Sequence, residues 1–157
     1  MSISPSKQHR YELIYIDEIR FGPPYYSLKI NGKLLRNRIF GEVAKWSNDS
    51  RYLAVQEWLT IDYAEGPITR VMLFDMEANK YTTFKELEKG FVEKFRFIND
   101  QLIYLCDYNN RKRTNEEVRI ELGSIKKWYS MKLCMVASLN YRLWRIASSL
   151  LRNSRSG

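Results

Sequence analysis

Apolar and polar positions alternate with a period of two along most of this chain, the pattern of half-buried strands. Tyr11, Leu13 and Tyr15 fall on one side of such a strand and Glu12, Ile14 and Ile16 on the other, until Phe21-Gly22-Pro23-Pro24 breaks the run. Tyr25–Ile30 and Lys33–Leu35 then flank Asn31-Gly32. That pair accepts the positive φ angles of a type I′ turn, so a tight hairpin is expected. Glu42–Trp46 and Arg51–Leu59 flank the polar turn Ser47–Ser50, and Ile68–Asp75 and Lys80–Phe84 flank Met76–Asn79. Further strands are expected at Val92–Phe97, Leu102–Asp107 and Val118–Leu122. Lys85–Lys89 reads as one helical turn, and residues 1–9 as a loose polar arm.

The period changes near the C-terminus. At 100° per residue, Leu133, Met135, Val136, Leu139, Leu143, Trp144, Ile146, Ala147, Leu150 and Leu151 share one half of the wheel. Arg142, Arg145, Arg152 and three serines share the other. The expectation is an amphipathic basic helix over 132–152. The fold class that follows is α+β. A mostly antiparallel β-meander of consecutive hairpins, curled or two-layered, forms one domain over 10–152, with the helix packed across it and 153–157 as a tail.

Composition narrows the function more than the fold. The 157 residues are 45% apolar and 14% aromatic, enough for one real core and too few for two. The net charge of +8 is unevenly placed. Residues 1–110 hold 15 basic and 15 acidic side chains, while residues 111–157 hold 11 and 3. No acid follows Glu121. Such a basic third attracts anionic partners. The polar N-terminus reads as no signal peptide, and no window is apolar enough to span a bilayer, so a cytoplasmic location is expected.

Most catalytic chemistry lacks its residues. His9 is the one histidine and lies in the polar arm, which argues against Ser-His-Asp and Cys-His sites. One histidine with the well-separated Cys106 and Cys134 does not make a zinc site, and no glycine-rich phosphate loop occurs. No metal or other cofactor is expected. Two anion-directed readings stay open. Arg111, Lys112 and Arg113, with Arg142, Arg145 and Arg152, suit a nucleic-acid-binding module. The first three with Tyr108 suit a small basic ribonuclease. Trp144 beside the arginines also fits a membrane surface.

The loop after Trp58 points elsewhere. Glu57, Trp58, Asp62, Tyr63 and Glu65 combine aromatic anchors with acids, the composition of a protein-binding epitope for a basic partner. Lys45-Trp46-Ser47-Asn48-Asp49-Ser50-Arg51-Tyr52-Leu53-Ala54 resembles a hairpin of WD-repeat-like propeller blades. Val71–Asp75 with Asn79-Lys80 resembles the next, and Phe97–Asp100 restates the first turn. The resemblance spans 42–108 and implies the meander; the length excludes a closed propeller. In overall character, a single small domain without a catalytic constellation, the chain resembles the immunity proteins of contact-dependent growth inhibition systems. That resemblance implies a non-catalytic bacterial protein that binds one toxin domain and occludes its active site.

Overall fold

A computed structural model of the chain describes residues 1–108 and 114–136. It contains fourteen strands: β1 (Ser2–Ile3), β2 (Arg10–Glu18), β3 (Pro24–Ile30), β4 (Lys33–Leu35), β5 (Ile39–Trp46), β6 (Tyr52–Trp58) and β7 (Ile68–Asp75) come first. β8 (Lys80–Thr83), β9 (Leu87–Glu88), β10 (Gly90–Ile98), β11 (Gln101–Tyr108), β12 (Asn115–Glu121), β13 (Tyr129–Ser130) and β14 (Met135–Val136) follow. Leu122–Ser124 and Met131–Leu133 are single 3-10 turns, and no α-helix occurs among the described residues.

The meander expected from the alternation is present. β5, β6, β7 and β8 pair in chain order, all antiparallel. The β3–β4 hairpin turns on Asn31 (φ 50°) and Gly32 (φ 80°), as a type I′ turn requires. The Ser47–Ser50 turn is held by its own side chains: the Tyr52 amide donates to Ser47 Oγ at 2.8 Å and the Arg51 amide to Asp49 Oδ1 at 3.1 Å.

Eleven strands make one sheet in the order β1-β2-β3-β5-β6-β7-β8-β13, with β4 on β3, β14 on β4 and β9 on β7. β13, the second 3-10 turn and β14 are consecutive in the chain. The segment 129–136 therefore leaves the β8 edge and lands on β4, beside β3, so the strands from β3 to β8 curl into a ring, with β2 and β1 continuing the sheet outward from β3. Leu28, Phe40, Leu53, Val55, Met72 and Phe74 fill the ring, and Met131 and Cys134 of the closing segment complete it. The opposite face of β6 and β7 (Tyr52, Ala54, Val71, Leu73) packs on a second sheet, β10-β11-β12, through Val92, Phe95, Leu102 and Tyr104. A smaller cluster, Ile19, Tyr25 and Trp58 with Ile39 and Phe91, lies at the end of the ring marked by Pro24 and Trp58.

Three expectations need correction. Residues 1–9 are not loose: β1 pairs with β2, Ser4 is buried, and the Ser6 amide donates to Ser50 Oγ at 2.7 Å. Lys85–Lys89 makes no helical turn, because Leu87 and Glu88 pair with Thr69 and Ile68 of β7. The helix expected from residue 132 does not begin there. Met131 and Cys134 are drawn into the ring, which forces a 3-10 turn and then strand pairing to Leu35 and Leu34. The remainder of that expected helix, and the tail, lie outside the described residues.

Asp75 ties the β7–β8 turn to the β5–β6 turn. It accepts from Arg51 NH2 at 2.8 Å and from the Glu77 and Ala78 amides at 3.1 Å each. Burial alone would lift this carboxyl, but the arginine and the two amides outweigh it and hold its pKa below the ordinary value. Its contribution to stability is therefore present above the unfolded pKa of about 3.9 and is lost as the pH falls through the lower folded value. Asp75→Asn is expected to lower the thermal midpoint at neutral pH by roughly 5 °C and to flatten the acid limb of a stability–pH curve. An acid limb as steep as the parent's would contradict this role.

Candidate functional site

Two connections meet beside the Ile19–Tyr25–Trp58 cluster, and each is built by its own hydrogen bonds. In the loop between β6 and β7 the Asp62 amide donates to Thr60 Oγ1 at 3.0 Å, the Ala64 amide to Asp62 Oδ1 at 2.9 Å and the Gly66 amide to the Tyr63 carbonyl at 3.2 Å. Thr60 Oγ1 in turn donates to the Glu65 carboxylate. These bonds use up Asp62 and Glu65 inside the loop and leave the Tyr63 ring at the tip, 63% exposed. Between β2 and β3 the Gly22 amide donates to the Ile19 carbonyl at 2.6 Å and the Ile19 amide to the Pro23 carbonyl at 3.1 Å. That tight turn puts Phe21 at φ 60°, in the left-handed region, with its ring 84% exposed. For a bulky residue this backbone costs on the order of 1 kcal/mol.

Phe21 and Tyr63 meet edge to face, centroids 6.2 Å apart, over a cleft of about 420 Å³. Ile19, Pro23, Pro67, Trp58 and Phe91 line it. Trp58 and Phe91 also meet edge to face, at 5.5 Å. The Trp58 indole N–H donates to Gln56 Oε1 at 3.1 Å, and Gln56 Nε2 donates to the Val92 carbonyl at 2.7 Å. Gly41 lies against this pair; a Cβ there would sit 1.7 Å from Gln56 Oε1 and 2.7 Å from the indole nitrogen, so any side chain at 41 would displace the Gln56–Trp58 hydrogen bond. The cleft floor is thereby fixed while its rim stands in water.

The rim is acidic on balance. Asp62 is the charged side chain among the residues that line the cleft, and Asp17, Glu18, Glu65 and Glu88, all exposed, lie on the adjoining stretches of chain together with Arg20 and Lys89. The Arg20 guanidinium lies 5.0 Å from the Phe21 ring centroid, over its face.

Trp58, Asp62 and Tyr63, expected as contact residues, do line one cleft, with Glu65 on the same loop. Glu57 does not join them. Neighbouring side chains on a strand point to opposite faces, and Glu57 points into the ring, 2% exposed. There it accepts from Arg38 and, at 2.6 Å, from Arg70 Nε, while Arg38 also lies over the Tyr81 ring. It is a buried ion cluster rather than an epitope. Arg111, Lys112, Arg113, Arg142 and Arg145 lie outside the described residues. Phe21 was missed by the sequence reading, although an aromatic inside a Gly-Pro-Pro turn was the available signal.

Among the described residues no three His, Cys, Asp or Glu side chains gather as metal ligands. Burial pushes the Cys134 thiol up to about 11 and raises that of Cys106, the opposite of what an attacking thiolate needs. Known protein families, characterised proteins and solved structures yield no match to this chain.

Removing the charge of Glu57 takes the buried carboxylate from Arg38 and leaves Arg70 only the exposed Glu86. Glu57→Gln is therefore expected to cost about 3 kcal/mol, a fall of roughly 10 °C in thermal midpoint. A variant that keeps its midpoint but loses partner affinity would return Glu57 to the contact surface.

Proposed function

We propose that this chain is a non-catalytic protein-binding module whose contact site is the cleft under Phe21 and Tyr63. Its occupant is a basic protein partner that inserts an apolar side chain into the cleft beneath the two rings. The observation that carries the reading is the pair of large aromatic rings held in water above an apolar floor. Phe21 is kept there in a backbone conformation that a glycine would adopt more easily. Exposed rings of this kind gain most when a partner dries them, and anchors near the centre of an interface each contribute about 2 kcal/mol or more. The excess of carboxylates around the cleft steers a basic partner towards it and repels acidic ones.

The finer reading is an immunity protein acting in the bacterial cytoplasm, which occludes the active site of one toxin domain. A toxin that acts on nucleic acid carries a basic active site, and an acidic rim around an aromatic anchor is complementary to it. Of the described basic residues after Glu121, Lys132 lies just beyond the pairing of Ser130 with Lys80, at the end of β8 remote from the cleft. There β13 pairs with Lys80 and Tyr81, and β14 with Leu34 and Leu35. In this reading Trp58 forms the floor, Phe21 and Tyr63 the anchors, and Asp62 and Glu65 shape the loop and set its charge.

The test is capture from source-cell lysate at high salt after nuclease treatment, comparing the parent with Phe21→Gly and Tyr63→Ser. The parent is expected to retain one stoichiometric protein. Each variant is expected to weaken it by about thirty-fold, while Phe21→Gly raises the thermal midpoint by relieving the left-handed backbone. Full retention by both variants, or recovery only of nucleic acid that high salt removes, would overturn the proposal.

A further inference from the structure

The closing segment brings together bases that the sequence keeps apart. Ser130 pairs with Lys80, the Arg36 amide donates to the Cys134 carbonyl at 2.6 Å, and Lys126, Lys127 and Lys132 belong to the same run of chain. All five are exposed. Asp75 stands opposite Lys80 in the register, and it and Glu77 are engaged by Arg51 at 2.8 and 3.6 Å. Leu133 stands next to Lys132 with 71% of its surface in water, although Met131 and Cys134 on either side are buried in the ring. The sequence after this seam adds four arginines and no acid, interleaved with Leu139, Leu143, Trp144 and Leu150.

We propose that this seam docks on an anionic lipid surface. The lysines and Arg36 would meet headgroup phosphates, and Leu133 would enter the boundary between headgroups and acyl chains. One weak apolar insertion combined with a polybasic patch is the pairing of signals that gives stable but reversible membrane attachment. A nucleic-acid backbone uses the same cations and gives an exposed leucine nothing to bury against, so Leu133 favours the bilayer. Trp58, Pro24 and Ile68 mark the cleft end of their strands, whereas Tyr52, Ile30 and Asp75 mark the seam end. Lys80, opposite Asp75, is thus the base of the seam that lies at the end away from the cleft. Nothing in this inference depends on what occupies the cleft.

The experiment is co-sedimentation of the full chain with phosphatidylcholine vesicles, with and without one quarter phosphatidylglycerol. The parent is compared with a Lys80→Gln/Lys126→Gln/Lys132→Gln variant and with Leu133→Ser; these side chains are exposed, and circular dichroism checks the fold. Partition onto the anionic vesicles alone is expected, falling about five-fold for each lysine removed and several-fold for Leu133→Ser. Equal partition onto both vesicle types, or no loss in the variants, overturns the proposal. So does binding to a duplex oligonucleotide that the lysine variant loses and Leu133→Ser keeps, in a protein that ignores the vesicles.

Discussion

Strand β6 has no solvent face: all seven residues from Tyr52 to Trp58 are buried, because the ring interior lies on one side and the second sheet on the other. A strand in that position must satisfy every polar side chain it carries from within the protein. It carries two, and they point in opposite directions. Glu57 enters the ring and draws Arg38 and Arg70 in after it. Gln56 faces the second sheet, bonds the β10 backbone at Val92 and accepts the Trp58 indole. The two layers are thus tied together by the polar groups of the strand they share, and any side chain in place of Gly41 would displace the Gln56–Trp58 hydrogen bond.

The cleft follows from this arrangement. At the Trp58 end the ring and the second sheet meet through Trp58 and Phe91. The last side chain of β6 packs there against Phe91 of β10 and Tyr25 of β3 without a further layer above it. The floor is an extension of the core and is as rigid as the core. The rim belongs to two connections whose hydrogen bonds are internal, so Phe21 and Tyr63 do no structural work for the strands below. Rigid floor and free rim are the division of labour that lets surface anchors change without loss of fold.

Turn chemistry was legible from sequence because it is local. Asn31-Gly32 and the Ser47–Ser50 segment encode their conformations in their own side chains. What was illegible depends on partners far along the chain. Glu57 reads as part of an acidic epitope until Arg38 and Arg70 are seen to close on it. The Lys-Glu-Leu-Glu-Lys run has good helix formers, yet pairing with Thr69 and Ile68 overrides the propensity. The helical period counted from residue 132 treated Met135 as one stripe with Leu139. The anchoring of Met131 and Cys134 in the ring makes that stretch a closing strap instead. Phe21 was hidden for a related reason: only the completed turn shows that its backbone is left-handed and its ring unsupported.

Seven of the eleven bases behind the charge asymmetry, Arg111, Lys112, Arg113, Arg142, Arg145, Arg152 and Arg155, lie outside the described residues, and the described chain is close to neutral. Within it, acids lie on the segments around Trp58 and Pro23, and Lys80 and Lys132 lie where β13 closes the ring. Because β3, β6 and β7 each run from one of these ends to the other, the two fields are separated by the length of a strand, about 20 Å. That is about twice the screening length at physiological salt. Charges at one end therefore act only weakly on those at the other. The net charge of +8 describes neither end of the ring, because it resides almost wholly on residues outside those described.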